Sequence, residues 1–352
     1  MPTADPAAVP QGPRRILSGV QSSGKLHLGN YFGAIRQHIA LQNEGECFFF
    51  IADYHALTSI RDTARKLTED SKKPVTAPEL MREYSHGAAL DYLALGLDPD
   101  RVAFFRQSDV PEVTELAWIL GTVTNMGLLE RAHSYKDKLA QGIEPSVGLF
   151  TYPVLMAADI LIYRSHLVPV GEDQVQHLEM TRDMAGRFNR AFGDIFPEPR
   201  AYVLPEAARV PGLDGQKMSK SKGNTIDIFA EGNALKKRVM SIVTDPKPLG
   251  EPLDPDNNTV FTLYTLVATP EERRALAERY RAGTTGYGEA KKLLLEAIER
   301  HFAPARERRK QLAQDPSYVE GVLERGARKA RAEAQATMEL VRTAVGFRAR
   351  PA

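Results

Sequence analysis

Two short segments of the chain carry the residue types that handle phosphate. Ser18-Gly-Val-Gln-Ser-Ser-Gly-Lys-Leu-His-Leu-Gly-Asn30 follows a strand-like run from Ile16 to Val20 and precedes a helical pattern of Phe32, Ile35 and Ile39. A turn between a strand and a helix start presents unpaired backbone N–H groups to an anion. Gly24 and Gly29 let a bulky nucleotide approach the backbone, and His27 can donate to a phosphate oxygen. The second segment, Lys217-Met-Ser-Lys-Ser221, lies beyond Gly212 and Gly215 and offers two ammonium groups and two hydroxyls. Each alone has a plain explanation, because Gly-bearing turns are often only structural and basic loops often only solvated. Both together, in this order, point to chemistry on a polyphosphate.

A third group lies between them. Tyr152, Met156 and Asp159 are spaced by 4 and 3, so on a helix they share one face. A carboxylate among Tyr and Met is costly to desolvate without a partner. The alternative is a core helix whose Asp159 is satisfied by a backbone group or an arginine. Gly171-Glu-Asp-Gln174 follows the strand-like Leu167 to Val170 and opens a helix carrying Val175, Leu178, Ala185 and Phe188. That places it at a strand's carboxyl end, although acidic residues there also serve as caps. His55 and His177 either line a pocket or satisfy local hydrogen bonds.

The elements that must position these groups read as α/β. Cys47 to Ile51 is a continuous apolar run suited to a strand buried on both faces, and Arg101 to Phe105 is another. Between them Met81, Tyr84, Ala88, Tyr92 and Leu95 recur at helical spacing after Pro78 and before Gly96, whereas Arg61 to Ala77 reads as an exposed, mobile loop. Strands alternating with helices predict a doubly wound, Rossmann-like parallel sheet with ligands beyond the carboxyl ends of the strands. From about Ala230 strand signals fade, and Glu271 to Tyr280, Lys291 to Phe302 and Val319 to Val345 read as helices. The expected division is a disordered tail over 1–13, a catalytic domain over 14–228, and a smaller all-α domain over 229–352 whose last helix can pack back on the catalytic domain.

Bulk composition narrows the function classes. The chain has 352 residues, 43% hydrophobic and 26% charged, as ordinary folded proteins do. No apolar run approaches the roughly 20 residues that span a bilayer. A single Cys47 excludes an internal disulfide and a cysteine-held zinc, and it fits a reducing cytoplasm. Net charge is +1, yet residues 291–350 hold 14 Lys and Arg against 8 Asp and Glu, a surplus of +6 that suggests a polyanionic partner or a solvated helical surface. Arg306, Arg308 and Arg309 are the densest basic cluster there.

With these residues in view, the sequence resembles the class I aminoacyl-tRNA synthetases, whose HIGH and KMSKS signatures match His27-Leu-Gly-Asn30 and Lys217 to Ser221. Asn30 in place of the second histidine is similar to the bacterial tryptophan-tRNA ligases. Tyr152-Pro-Val-Leu-Met-Ala-Ala-Asp-Ile160, Gly171 to Gln174 and Asp53 to His55 extend the likeness, which runs from about Leu17 to the last helix. The resemblance implies a catalytic set of His27, Asn30, Lys217 and Lys220. It implies an ATP site of Gln21, Ser22, Ser23, Gly29, Asn30, Gly171, Glu172, Asp173, Val210, Lys217, Met218, Ser219, Lys220 and Ser221. The implied tryptophan site is Asp159, Tyr152, Met156, Gln174 and His55, with Asp159 facing the indole N–H and Gln174 near the ammonium.

The implied reaction activates L-tryptophan with ATP and Mg2+, without zinc, and transfers it to tRNA(Trp) in a cytoplasmic homodimer that does not bind membranes. A tyrosine-tRNA ligase, a small nucleotidyltransferase and a synthetase copy kept as a binding or regulatory partner are the competing readings. Ser22 where proline is common, Lys222-Gly-Asn where Asp-Pro-Asn is usual, and the length of 61–77 depart from the family pattern.

Overall fold

The computed structural model describes residues 14–20, 24–132, 135–136, 146–171, 174–203, 210–248 and 250–347. The tail over 1–13 and the expected site residues Gln21, Ser22, Ser23, Glu172 and Asp173 lie outside them, as does the side chain of Ser221. Five parallel strands form one sheet: β1 (Arg15–Val20), β2 (Glu46–Ile51), β3 (Val102–Arg106), β4 (Leu167–Val170) and β5 (Arg200–Val203). Their spatial order is β3-β2-β1-β4-β5, so the order reverses between β1 and β4. That reversal opens the crevice in which doubly wound folds hold their ligands. β2 is buried at every position after Glu46, as its unbroken apolar run requires. β5 had no such signal, because its Arg-Ala-Tyr-Val pattern belongs to a partly exposed edge strand.

Helices cover both faces. Residues 28–40 form α1, interrupted by a π-helical stretch over Tyr31–Ile35. Then come α2 (Ile60–Ser71) and α3 (Ala77–Ala94). α2 corrects the loop expected over 61–77: Ile60, Ala64 and Leu67 fall on one helical face and pack on Leu80, Met81 and Tyr84 of α3. A short apolar stripe in a polar, Lys-rich stretch was enough to fix a helix. Further on lie α4 (Glu112–Val123), α5 (Val147–Ile162) and α6 (Val175–Phe192), packed on one another beneath the sheet.

Among the described residues the helices after β5 are α7 (Gly232–Met240), α8 (Thr259–Val267), α9 (Pro270–Arg281), α10 (Tyr287–Gln314) and α11 (Pro316–Ala344), besides a single 3-10 turn. α10 runs through Pro304, beyond the end expected at Phe302, since its buried stripe of Leu294, Ile298 and Phe302 continues to Arg306. The sheet face bearing Ile16, Cys47, Phe49 and Ile51 shares one apolar cluster with α1, α3 and α7–α10. The opposite face, with Leu17, Phe48, Phe50 and Phe105, shares another with α4–α6 and α11. No helix among the described residues is long and apolar enough to cross a membrane.

α11 lies along the edge strand β3. A Cβ on Gly326 would stand 1.9 Å from the Phe104 carbonyl oxygen, so only glycine permits this approach. The contact covers an edge that would otherwise present unpaired backbone groups. Ion pairs anchor it: Arg15–Glu333 at 2.7 Å, Arg331–Glu112 at 2.9 Å and Arg342–Glu115 at 2.5 Å, with Arg106 gripping Glu320 through both guanidinium nitrogens. Part of the basic surplus over 291–350 is therefore satisfied within the chain.

Candidate active site at the carboxyl ends of the strands

Three of the segments singled out in the sequence begin at the carboxyl ends of adjacent strands, with His27 beyond β1, His55 beyond β2 and Gly171 beyond β4, whereas Asp159 is supplied by α5 and Lys217–Ser221 lies beyond β5. After β2, a helical turn over Asp53–Ala56 carries His55. After β3, a turn over Gln107–Asp109 places Gln107, which is 1% exposed. Both reach Asp159 on α5, which is equally buried. Gln107 Nε2 donates to both Asp159 carboxylate oxygens at 2.8 and 2.9 Å, and His55 Nε2 lies 2.9 Å from Oδ2. Gln107 is oriented in turn, because its Oε1 accepts from the Tyr54 N–H at 3.1 Å. Burial pushes the Asp159 pKa up, and the His55 and Gln107 contacts oppose the rise.

Other members of this half follow the expected helical face. Tyr152 hydrogen-bonds His177 and sets its ring edge-on to His55, with centroids 6.3 Å apart. Met156 packs on the apolar cluster under the sheet. Gln174 precedes α6, and its N–H donates to the Gly171 carbonyl at 3.0 Å at the end of β4. His177 is buried in the same cluster of side chains rather than in solvent.

The other half is built around His27, which caps α1. The Asn30 N–H donates to His27 Nδ1 at 3.3 Å, and the His27 N–H donates to Asn30 Oδ1 at 3.2 Å. Asn30 thus has a local reason to replace histidine: its amide oxygen completes a reciprocal cap. The π-helical stretch that follows is a local widening common at functional positions. Burial, and secondarily the charge of Lys220, lower the His27 pKa to about 4. The ring is neutral near pH 7, and with Nδ1 accepting, its proton sits on Nε2.

Lys217–Ser221 docks directly on this cap. The Gly29 N–H points at Met218 Sδ, 3.4 Å away and 189 positions on in sequence. Met218 is pinned from the other side, its N–H donating to the Val210 carbonyl at 3.0 Å. Lys220 opens a single 3-10 turn closed by Gly223 at φ 63°, which accommodates the unusual Lys222-Gly pair. Burial lowers the Lys220 pKa, while Asp227 and Asp91 counter it. Asn224 organises the loop: its Oδ1 accepts from the Ser219 N–H at 2.8 Å and its Nδ2 donates to Asp214 at 2.7 Å. A Cβ at Gly212 would lie 2.3 Å from the Asn224 amide, so only glycine permits this approach.

The structure therefore gathers His27, Gly29, Asn30, Val210, Met218 and the Lys220 turn on one side, and Asp159, His55, Tyr152 and His177 on the other. Sequence reasoning missed Gln107, Asn224, Asp91 and Asp227. Gln107 had a findable signal, as a polar residue closing an apolar strand. Asp91 had none, being one polar residue inside a helix. The basic cluster needs correction: Arg306 is 5% exposed and donates to the Ile228 carbonyl at 2.9 Å, and Arg309 pairs with Asp91 at 2.6 Å. Density of charge along the sequence could not distinguish a buried anchor such as Arg306, or the half-buried pairing of Arg309, from a solvated face. Among the described residues no group of three or more His, Cys, Asp or Glu is placed to hold a metal.

Comparison with known proteins agrees with this geometry. The chain is 52% identical to a tryptophan-tRNA ligase of Rhodopirellula baltica over 334 residues, covering 95% of this chain and 100% of that one. It is 50% identical to one from Fusobacterium nucleatum, covering 95% and 98%. The crystal structure of the Campylobacter jejuni tryptophanyl-tRNA synthetase, complexed with ADP and tryptophan, superposes with a TM-score of 0.86 at 46% identity over 95% of this chain and 100% of that one. Residues 10–303 match the family described as tRNA synthetases class I (W and Y), and the chain belongs to that family.

Proposed function

We infer that this chain activates L-tryptophan with ATP to form tryptophanyl-adenylate and transfers the aminoacyl group to tRNA(Trp), releasing AMP and diphosphate, as a bacterial-type enzyme of its family. The observation that carries the reading is the docking of the two signature segments on each other through Gly29 and Met218, in a fold that also holds the buried Asp159 cluster. The tryptophan carboxylate attacks the α-phosphorus in line, so no covalent enzyme nucleophile is needed. Catalysis then rests on positioning and on neutralising charge that develops on phosphate oxygens. His27 donates from Nε2 as a neutral imidazole, and Lys217 and Lys220 supply positive charge. Asn30 holds the His27 tautomer.

Asp159 receives the indole N–H. Its two oxygens offer about four lone-pair positions. The bonds from Gln107 and His55 use three, leaving room for one more donor. Gln21, Ser22, Ser23, Gly171, Glu172 and Asp173 complete the nucleotide side in this reading, and Gln174 meets the ammonium. Magnesium arrives with the ATP phosphates as part of the substrate, since hard cations of this kind are commonly held by phosphates rather than by a protein cage. Zinc has no part in it.

The functional unit is a cytoplasmic homodimer, with residues 14–228 catalytic and 229–352 reading the tRNA anticodon. Trp118 and Val147, 78% and 79% exposed on the mutually packed α4 and α5, support a face covered by a second copy. Arg308, Arg325, Arg328 and Lys329 make no ion pair among the described residues and support a tRNA surface on α10 and α11. Tryptophan-dependent exchange of labelled pyrophosphate into ATP tests the activation step. Exchange supported by tyrosine instead, or none at all, overturns it.

A further inference from the structure

Residues 226–231, which join the Lys217–Ser221 loop to α7, are held from two sides. On one side they pair with the His27 segment: the Leu28 N–H donates to the Ile226 carbonyl at 3.0 Å, and the Ile228 N–H to the Leu26 carbonyl at 3.1 Å. His27 thereby stands opposite Asp227. On the other side they meet α10. Arg306 Nε donates to the Ile228 carbonyl, the Arg309 guanidinium lies 4.9 Å over the Phe229 ring, and Lys310 reaches Glu231 at 2.9 Å.

Arg309 does more than pack. Its Nε lies 2.6 Å from Oδ1 of Asp91, a carboxylate 4% exposed in the last turn of α3. Burial raises the Asp91 pKa to about 6; Arg309 is the main opposing influence, Asp227 adds to the rise and Lys220 counters it. A buried carboxylate inside a helix is unfavourable without such partners. Asp91, Asp227 and Lys220 thus share one electrostatic neighbourhood with His27, and its cation from outside the signature segments is Arg309.

We propose that Arg309 is a positioning residue for adenylate formation: bound to Asp91 and laid on Phe229, it fixes from the helical end the surface against which His27 and Lys220 are set. The proposal rests on the activation reaction inferred above. Arg309 touches no reacting atom, and its influence passes through the 226–231 segment and the Asp91 carboxylate. It separates the arginine cluster by role, since Arg306 braces backbone and Arg309 tunes charge.

The test compares Arg309→Met and Arg309→Lys with the parent in tryptophan-dependent pyrophosphate exchange, with thermal melting alongside. Arg309→Met lowers kcat roughly tenfold, the scale of one weakened positioning contact, with KM for tryptophan unchanged. Arg309→Lys, which keeps the charge, restores most of it. Arg309 opposes the rise of the Asp91 pKa to about 6, so without the guanidinium Asp91 titrates at higher pH and the rise of kcat with pH in Arg309→Met lies above that of the parent. Asp91→Asn in the Arg309→Met background removes that rise. If Arg309→Met fails to fold, Asp91→Asn alone carries the test and lowers kcat without changing KM for tryptophan. Parental kcat with the parent's own pH profile overturns the proposal, as does a loss shared equally by kcat, tryptophan KM and melting temperature that lysine does not restore. A parent without exchange overturns the activation reaction itself, a separate failure seen before any variant is made.

Discussion

The two halves of the site are built on different physical plans. Around Asp159 the carboxylate oxygens are met by side chains, Gln107 from a turn at a strand end and His55 from a helical turn, with Asp159 itself on α5. Around His27 the groups are set by backbone and by contacts between segments far apart in the chain, with Gly29 against Met218 and residues 26–28 against 226–228. A fixed, dry carboxylate suits discrimination, because an analogue that cannot satisfy it leaves it unpaired. A site assembled from two segments suits ATP entry and pyrophosphate departure, because one segment can shift without disturbing the sheet.

The largest test of this contrast is Asp159→Ala. A site built around a polar partner rejects substrates lacking it by about 10⁴ to 10⁵. Tryptophan kcat/KM in the exchange assay is expected to fall on that scale, with KM for ATP little changed. Undiminished preference for tryptophan over phenylalanine would falsify the assignment. Lys220→Ala strikes the other half: kcat drops by about 10² to 10³ with tryptophan affinity, read by equilibrium titration, unchanged. Weaker tryptophan binding with normal turnover would erase the distinction between the halves.

Acid acts with opposite sign on a buried histidine of one half and the buried carboxylate of the other. Burial lowers the pKa of His38, which contacts Ser18 at 3.2 Å beneath the nucleotide side, to about 4, as it does for His27. An unfolded histidine titrates near 6.5, so this contribution is full above that value and drains as pH falls toward 4, by about 3 kcal/mol for His38 at most. Asp159 moves oppositely: its raised pKa means the fold takes up its proton more readily, so acid does not cost stability there. Melting temperature followed from pH 7 to 4.5 is expected to fall less steeply in His38→Gln than in the parent, and identical slopes would remove His38 from the account. The smallest effect belongs to Asn224→Ala. Leaving the Ser219 N–H unpaired costs about 1 to 3 kcal/mol of loop order. KM for ATP is expected to rise roughly tenfold with tryptophan binding intact, whereas a matching loss on the tryptophan side would show the halves to be one unit.

Much of the molecule was legible from local pattern. The runs Cys47–Ile51 and Leu167–Val170, the helical face of Tyr152, Met156 and Asp159, and the paired phosphate-handling segments depend on neighbours a few residues away, and periodicity or residue type records such neighbours. The α2 helix was misread because three apolar residues carried its pattern among many polar ones. What the sequence by itself determined is the alternation of strands and helices, and with it the chemistry offered at the strand ends. Only the tertiary structure decided that Gln107 and His55 share Asp159, that Gly29 meets Met218, and that Arg306 and Arg309 meet the Ile228 carbonyl and Asp91. Those are pairings across tens to hundreds of residues, and burial rather than residue type sets whether a charge meets solvent or a partner.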